Sequence, residues 1–301
     1  MRATWAAWVT SMGVGGFMTY GLFVWTTALY YTHAGILGLL DVSLRYPQSA
    51  LGRWAKAHKI QDAKLVTGAD WFKCLKVVVR NQLTINIPWV CCTSASCTPG
   101  RLRACSGGDA NVLDVEGKGT TWAATMPSAA QVGKEFLVCA LVEELLFYSS
   151  HRLFHWGPLY KRFHKIHHEF TAPIGLAATY AHPLEHTLSN LTPVLLGPAL
   201  FGMHPLSAFV WITLAITTTI HTHSGYELYG WPTARKHDWH HYAFIYQFGV
   251  SGVVDKWLGT DGGERYRRYV HRYDERVRMV REGKGTPEEA DRADDEDEKL
   301  K

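Results

Sequence analysis

The chain has 301 residues, of which 47% are hydrophobic, and it contains 12 Trp and 14 Tyr. Its formal net charge is only +4, and the basic residues are scattered among acidic ones, so nothing in the composition calls for a nucleic-acid partner. The mean hydropathy is close to zero. Because the chain is nevertheless rich in apolar residues, these must be concentrated in blocks, which is typical of a protein that enters a membrane.

The first apolar block occupies the N-terminus, where no Asp, Glu, Lys or Arg occurs from Ala3 to Leu40. A helix of about 20 apolar residues crosses the hydrocarbon core of a bilayer, so this block is long enough for one crossing or a hairpin. It lacks the short apolar region and small-residue cleavage site of a secretory signal, which favours an uncleaved anchor. Arg45, Arg53 and Lys56 follow it and favour a cytosolic position for the next segment.

Residues 1–125 are predicted to form an N-terminal membrane anchor region. Within it, a charged linker is expected at 41–75 and a membrane-associated helix at Val77–Val90. Residues from about 92 to 119 are rich in Gly, Ser, Thr and Cys and show no hydrophobic periodicity, which indicates a loop or disordered insert. Its cysteines lack the paired CxxC spacing of a zinc site, which favours an incidental polar loop.

Helical periodicity resumes near Ala129 and is predicted to continue to about His155, with Leu137, Leu141 and Leu145 on one stripe that also includes Tyr148. A second uncharged block covers Thr187–Ile220 and is broken near His204-Pro205. It predicts two short membrane crossings or a re-entrant hairpin. At the other end of the chain, residues 276–301 are predicted to be a charged, disordered tail.

Thirteen of the sixteen histidines lie between His151 and His241, and most of them fall in three boxes, HRLFH, HKIHH and HDWHH. Within each box the spacing is i, i+3 or i+4, so on a helix the rings project from one face. A further histidine, in HTHSGYE, is the best candidate for a ninth ligand. The nine candidate metal ligands are His151, His155, His164, His167, His168, His223, His237, His240 and His241.

Eight or nine neutral nitrogen donors suit two metal ions with open positions, whereas a structural zinc site needs only four ligands and usually includes thiolates. Imidazole binds iron, copper, zinc and nickel alike, so the ligand type alone leaves the metal open. The block Thr187–Ile220 separates HKIHH from HDWHH. These two boxes can share metals only if the block crosses the membrane an even number of times.

Other polar residues near the boxes are candidates for supporting roles. His182 is predicted to line the pocket, orient a ligand or bind metal itself, whereas His186 and His221 stay ambiguous. Metal-bound histidines usually donate their other ring N–H to a carboxylate or carbonyl, and Glu144 shares the helical stripe of His151. The remaining acidic candidates for that role are Glu143, Glu169, Glu185, Glu227, Asp238 and Asp255.

The three boxes and the sequences that connect them resemble the fatty acid hydroxylase/sterol desaturase superfamily over roughly Glu143 to Asp261. The connecting sequences that carry the resemblance are HEFTAPIG, YAHPLEH, HSGYE and FGVSGVVDKWLGTD. Within it the chain is most similar to C4-methylsterol monooxygenases and to fatty-acid-hydroxylase-domain-containing proteins. These share the run from the second box through TAPIG to YAHPLE, and the H-x-GY before the third box.

The resemblance implies an all-α integral membrane protein of the endoplasmic reticulum, with about four transmembrane helices and a cytosolic di-iron domain at residues 126–275. It implies two Fe ions, O₂, and electrons from NAD(P)H through cytochrome b5 or a similar carrier. Since no b5-like haem domain is found in the chain, that carrier would be a separate protein. The implied activity is a non-haem di-iron monooxygenase that hydroxylates a lipid, with the C4 methyl of a sterol as the leading substrate.

Three alternatives stay open from the sequence. The enzyme could instead hydroxylate or desaturate fatty-acyl chains or sphingoid bases. The protein could be a non-catalytic membrane binding or scaffold protein, although all three boxes are intact. Paired histidines on membrane helices could also hold a haem, but the HxxHH boxes supply more imidazoles than a haem needs.

Overall fold

The computed structural model describes residues 4, 5, 7, 15–61, 64–96, 125–228 and 233–282. These residues are mostly helical, and β pairing among them is limited to one isolated bridge between Lys59 and Tyr226. The predicted helical character is therefore confirmed. In chain order the α-helices are α1 (Leu22–Ser43), α2 (Ala50–His58), α3 (Gly68–Asn81), α4 (Ile87–Ser96), α5 (Ala129–Phe154), α6 (Gly157–Arg162), α7 (Thr192–Leu200), α8 (Pro205–His223), α9 (Ala234–Ala243), α10 (Val253–Leu258) and α11 (Gly263–Arg281).

Tighter and wider turns interrupt the α-helices. The π-helical segments are Phe17–Gly21, Gln82–Asn86 and His186–Leu191, and the 3₁₀ segments are His164–Glu169 and Gly175–Thr179. A single α-turn, Pro183–Glu185, precedes the last π segment. Departures of this kind from α geometry are frequent at functional sites; His164–Glu169 contains the second histidine box, and Gly175–Thr179 and His186–Leu191 lie between the second and third boxes in the sequence.

The helix predicted at Val77–Val90 is longer than expected. It begins at Gly68, where the Thr67 side chain and Asp70 form a capping box, and it continues through the π turn Gln82–Asn86 into α4. The prediction of a loop from residue 92 is wrong for 92–96, which complete α4. The rest of the predicted insert, 97–119, lies outside the described residues.

Helix α5 confirms the predicted helix, since it begins at Ala129 after the Ser128 cap and ends at Phe154. Its predicted apolar stripe divides into two parts. Leu137, Leu141 and Leu145 are all more than half exposed, whereas Tyr148 is buried. A row of exposed leucines on a long helix marks a surface for contact with apolar partners.

The uncharged block forms the predicted helical hairpin. Helix α7 ends at Leu200, and α8 starts at Pro205 after the His204 side chain accepts a hydrogen bond from the Leu206 amide. Helix α7 packs closely on α5 because Gly197 has no side chain, and a Cβ there would lie 3.0 Å from the Cys139 sulfur. By length and hydropathy, α8 is the one helix within the described ranges that could cross a membrane. The four-span arrangement stays a prediction.

Two apolar cores flank the hairpin. The larger one surrounds the 3₁₀ segment Gly175–Thr179, whose buried Leu176, Ala177 and Ala178 pack between α1, α3 and α8. The second lies between α5, α7 and α8 around Cys139 and Trp211. Together they hold the chain on both sides of the histidine boxes in fixed positions.

The last described helix, α11, packs on α9 and α2. It continues to Arg281, so the boundary predicted at 275 falls inside it, and the expected disorder is wrong for 276–281. Arg276 is buried and donates hydrogen bonds to the carbonyls of Lys59 and Ile60. The rest of the predicted tail, 283–301, lies outside the described residues.

Candidate metal centre

The nine histidines of the boxes and of HTHSGYE come together in two adjacent groups. In each group the potential ligand atoms all lie within 4.8 Å of one another. The five-histidine group consists of His151, His155, His164, His168 and His240. The four-histidine group consists of His167, His223, His237 and His241. The structure therefore contains two neighbouring sets of imidazoles, and the spacing within each set suits the ligands of one metal ion.

The second box joins the two groups. The prediction of an α-helical HKIHH is wrong, because His164–Glu169 is a 3₁₀ helix. Its His164 and His168 belong to the five-histidine group, and His167 belongs to the four-histidine group. Side chains at i and i+3 eclipse in a 3₁₀ helix, and the rings of His164 and His167 are accordingly stacked, with centroids 5.4 Å apart.

The first and third boxes are placed by α-helices. HRLFH ends α5 and gives both histidines to the five-histidine group. On α9, His237 and His241 point into the four-histidine group and His240 into the five-histidine group. Because HKIHH and HDWHH meet in shared groups, the hairpin between them starts and finishes at the same end of the molecule, as the sharing of metals requires.

Most of the imidazoles are oriented through Nδ1. Backbone carbonyls lie within hydrogen-bond distance of Nδ1 in four of them, and a carboxylate does so in a fifth. The pairs are His151 with Phe248 O (2.9 Å), His167 with Tyr180 O (3.1 Å), His223 with Thr219 O (2.7 Å), His240 with Tyr246 O (2.6 Å) and His164 with Glu185 Oε1 (2.7 Å). A carbonyl only accepts hydrogen bonds, so Nδ1 carries the hydrogen and Nε2 keeps its lone pair.

The imidazoles are neutral at physiological pH. Burial, reinforced by neighbouring imidazoles, holds the pKa of His168, His237 and His241 well below the usual range, and burial lowers the pKa of His167 to about 4. Neutral imidazole is the form that binds metal. The site thus offers unprotonated nitrogens without competition from protons.

The spacing of the Nε2 atoms fits metal ions. These atoms are 2.8 Å apart between His155 and His164 and 2.8 Å apart between His223 and His237. The Nε2 atoms of His167 and His223 are 3.4 Å apart. Because the Nδ1 atoms of both rings face carbonyl oxygens, both of these Nε2 atoms carry lone pairs. Two lone pairs facing each other repel, and a cation between them removes the repulsion. Metal–nitrogen bonds of about 2.1 Å at right angles place neighbouring nitrogens about 3 Å apart, so the residues fit the implied metal ions.

Glu185 is the one predicted carboxylate that contacts an imidazole of the groups. Its side chain is buried, and it lies on Nδ1 of His164, which is also buried. Burial raises the pKa of Glu185 well above its usual value. A cation on Nε2 of His164 would act in the opposite direction and keep the carboxylate charged, as in other carboxylate–histidine–metal arrangements.

Glu144 and Asp255 hold a loop that contacts the five-histidine group. Glu144 accepts hydrogen bonds from the amides of Ser251 and Val254, and Asp255 accepts from the amides of Phe248 and Gly249. The loop that they fix supplies the Phe248 carbonyl to His151. The expected direct contact between Glu144 and an imidazole is therefore replaced by an indirect one.

The other predicted residues support neighbouring structure. Glu227 accepts hydrogen bonds at the start of α9, from the Thr233 hydroxyl and the Arg235 amide. Asp238 is buried, and its hydrogen bonds come from Gln61 and the Tyr269 hydroxyl. Glu169 accepts from Tyr180 and pairs with Lys73.

Three further histidines lie outside both groups. His182 caps the turn Pro183–Glu185. His186 is within hydrogen-bond distance of Asn86 and Asn190. His221 is buried in the last turn of α8. For Glu143, the described contacts include none with an imidazole of the groups.

Sequence reasoning missed two features of the site. The carbonyls that orient the imidazoles belong to the backbone and leave no signal in residue type. A buried ion pair, Lys59–Asp41 at 2.7 Å, was also missed; Lys59 donates as well to the carbonyl of Ser224, next to His223. An Asp at the end of a long uncharged block was the available signal for that pair.

Fold and site together define a helical protein with two adjacent groups of imidazoles, each of which could hold a metal ion. A family model for fatty acid hydroxylases matches residues 136–260. Rat methylsterol monooxygenase 1 is 32% identical over 226 residues, which cover 72% of this chain and 70% of that protein. The chain belongs to the fatty acid hydroxylase family.

The chain matches a smaller share of two other relatives. Human fatty acid hydroxylase domain-containing protein 2 is 48% identical over 127 residues, which cover 42% of this chain and 38% of that protein. Fatty acid hydroxylase ahd1 of Mycosarcoma maydis is 33% identical over 227 residues, 75% of this chain and 53% of that protein. No solved structure matches the chain.

Proposed function

We propose that this protein is a membrane-embedded oxygenase that uses two irons and O₂ to hydroxylate a lipid, and that the lipid is a sterol oxidised at its C4 methyl. The observation that carries the proposal is the convergence of nine imidazoles in two adjacent groups, with their ligand atoms within 4.8 Å of one another in each group. Such an arrangement supplies nitrogen ligands for two ions and leaves coordination positions for O₂.

The geometry favours a metal pair over the other functions considered. A haem needs two imidazoles on opposite sides of a macrocycle, whereas here four or five nitrogens converge on one point. A scaffold protein has no need for imidazoles whose Nδ1 atoms are fixed by carbonyls and whose Nε2 atoms face one another. Binding of metal ions accounts for both features.

Bound iron would supply activation of O₂ and its insertion into a C–H bond. The chain's own residues hold and orient the imidazoles, and aromatic rings cover the groups. Phe248 lies 5.1 Å from the His155 ring and Phe244 lies 4.8 Å from the His168 ring, measured between centroids. These apolar rings pack against the five-histidine group, where exclusion of water would protect an oxidising site from side reactions.

Relatives named as sterol enzymes support the choice of substrate. Besides the rat protein, C-4 methylsterol oxidase erg25 of Schizosaccharomyces pombe is 28% identical over 211 residues, 63% of its length. A second candidate, hydroxylation of fatty-acyl chains, is favoured by the similarity to ahd1, which is named a fatty acid hydroxylase. Both candidates use the same site and differ in the lipid that reaches it.

We further propose that the protein resides in the endoplasmic reticulum membrane as a multi-pass protein and receives electrons from NAD(P)H through a separate carrier such as cytochrome b5. The uncharged helix α8 and the exposed leucines of α5 support membrane insertion. Lipid would then reach the histidine groups from the bilayer.

Complementation of a strain that lacks C4-methylsterol oxidase tests the substrate. We expect the wild-type chain to restore growth and remove accumulated 4-methylsterols, and we expect His167→Ala, expressed at the same level, to do neither. Unchanged sterols together with new hydroxylated acyl chains would replace the sterol proposal with the acyl one. Unchanged sterols and acyl chains, with less than one iron per purified chain, would contradict the oxygenase proposal itself.

A further inference from the structure

We propose that the segment Phe248–Gly259, which includes α10, dips into the bilayer beside α5 and contacts lipid through Val253 and Trp257. This inference rests on the membrane-embedded part of the proposed function. We call Phe248–Gly259 the interfacial segment. It carries the Phe248 carbonyl, which orients His151.

The exposed side chains of the segment are apolar and aromatic. Trp257 is 80% exposed and Val253 is 68% exposed, whereas Val254 and Asp255 between them are buried. One exposed tryptophan on a soluble surface needs no explanation. Here, however, Val253 and Trp257 are four residues apart on one helical turn and form a single apolar face.

The depth of the segment follows from its attachment to α5. Glu144 accepts the Ser251 and Val254 amides, and it lies seven residues before His151 in the sequence. With a rise of 1.5 Å per residue, the attachment is about 10 Å farther from the histidine end of α5 than His151 is. The attachment point lies among Leu137, Leu141 and Leu145, which are exposed. If the exposed leucines of α5 face acyl chains and its histidines lie at the membrane surface, the segment lies at the boundary of headgroups and acyl chains.

The backbone polar groups of the interfacial segment suit that environment because they form hydrogen bonds within the protein. Irregular backbone at membrane depth is tolerated only where its polar groups are satisfied by protein. Asp255 accepts from the Phe248 and Gly249 amides, Glu144 accepts from the Ser251 amide, and Lys236 donates to the Ser251 carbonyl at 2.6 Å. The turn into α10 uses Gly252 at φ +79°, which a glycine adopts without strain.

The chemistry of the exposed face favours lipid as its partner. Tryptophan concentrates at the membrane interface, where its ring is apolar and its N–H can meet headgroups. Lys256 is exposed beside it and can extend its ammonium group towards phosphates. The segment is attached to α5 through Glu144, which lies between the exposed Leu141 and Leu145 in the sequence. Within the segment, the ring of the buried Phe248 lies 5.1 Å from the His155 ring, measured between centroids.

Site-specific photo-crosslinking tests the contact. The full chain carrying p-benzoylphenylalanine in place of Trp257 is reconstituted in phosphatidylcholine/phosphatidylethanolamine vesicles, irradiated and analysed by mass spectrometry. The matched control carries the same probe in place of His271, whose side chain is 72% exposed on the mixed-charge helix α11. We expect lipid adducts with the probe at 257 and none with the probe at 271.

A dominant adduct between two copies of the chain, an adduct with another protein, or equal lipid adducts at both positions would overturn the inference. The same preparations are tested for resistance to carbonate extraction and for O₂-dependent turnover. A chain that is integral and active but gives no lipid adduct at 257 refutes the inference alone. Lipid adducts at 257 in a chain that holds no iron and shows no turnover refute the proposed oxygenase function alone.

Discussion

The two histidine groups differ in their surroundings. Each group has one partly exposed histidine, His155 or His237, but among the described residues only in the five-histidine group does a buried carboxylate, that of Glu185, lie on an imidazole, His164. In the four-histidine group, the known Nδ1 partners are the carbonyls of Tyr180 and Thr219. Behind that group, the buried Lys59–Asp41 pair holds the carbonyl of Ser224, which follows His223.

This difference indicates that two metal ions bound here would be unequal. A carboxylate on Nδ1 raises the basicity of an imidazole more than a carbonyl does. The five-histidine group also has one more potential ligand than the four-histidine group. The four-histidine group has no spare ligand and relies on a rigid frame behind it. Variants should therefore affect the two positions differently, which offers ways to test the comparison.

The largest difference is expected between two alanine variants. His237→Ala leaves three imidazoles in its group, so we expect loss of that metal and of turnover. His155→Ala leaves four imidazoles in its group, so we expect both metals to be retained with reduced turnover. Metal analysis and O₂ consumption of the purified variants measure this. Equal metal loss in the two variants would show that the groups do not differ in spare ligands.

Breaking the buried ion pair should have the next largest effect. Lys59→Met leaves the Asp41 carboxylate buried without its cation, which costs about 3–5 kcal/mol, and it releases the Ser224 carbonyl. We expect a lower denaturation midpoint and weaker metal binding in the four-histidine group. The double variant Lys59→Met/Asp41→Leu should recover most of the stability, because no unpaired charge remains.

As a control, Arg267→Ala removes only an exposed pair with Glu264 and should leave the midpoint unchanged. A midpoint for Lys59→Met equal to that of Arg267→Ala would contradict the role given to the pair.

Removal of the carboxylate behind His164 should act on the five-histidine group. We expect Glu185→Gln to weaken metal binding there by about 10–100-fold, the usual effect of losing such a partner, and to leave the four-histidine group unchanged. Metal titration of the apo-protein measures the two affinities. Glu135→Gln is the matched control, since Glu135 contacts His204 and Gln131 instead of an imidazole of the groups. An equal loss in both groups would show that Glu185 acts on the fold rather than on His164.

The smallest effect is expected at the start of α9. Thr233 caps this helix by accepting a hydrogen bond from the Arg235 amide, and loss of such a cap costs about 1 kcal/mol. Because α9 gives ligands to both groups, Thr233→Ala should lower the metal occupancy of the two groups equally. Thr233→Ser keeps the hydroxyl and should restore both, and a selective loss from one group would contradict this placement of α9.

Local signals in the sequence predicted the helices well where they were strong. The bounds of α5 followed from its periodicity, and the break in the hairpin followed from His204-Pro205. The continuation of α4 to Ser96 was missed because the composition of 92–96 resembles a loop. The 3₁₀ form of HKIHH was missed because spacings of three and four residues fit an α-helix equally well.

The nine histidines that come together in the candidate site could be named from the sequence, whereas the groups that hold and orient them could not. Imidazoles are visible as residue types, so all nine could be named. Glu185 could not be singled out among seven acidic candidates, because its partner His164 is 21 residues away. The carbonyls of Phe248 and Tyr180 depend on tertiary packing, to which side-chain identity gives no direct guide.

Iron analysis of the purified full chain, combined with Mössbauer spectroscopy, is the most direct test of the metal centre. We predict about two irons per chain in a coupled pair, with the His237→Ala variant retaining only the iron of the five-histidine group. Less than one iron per chain after reconstitution with ferrous iron, or a single mononuclear site unaffected by His237→Ala, would contradict the two-metal account.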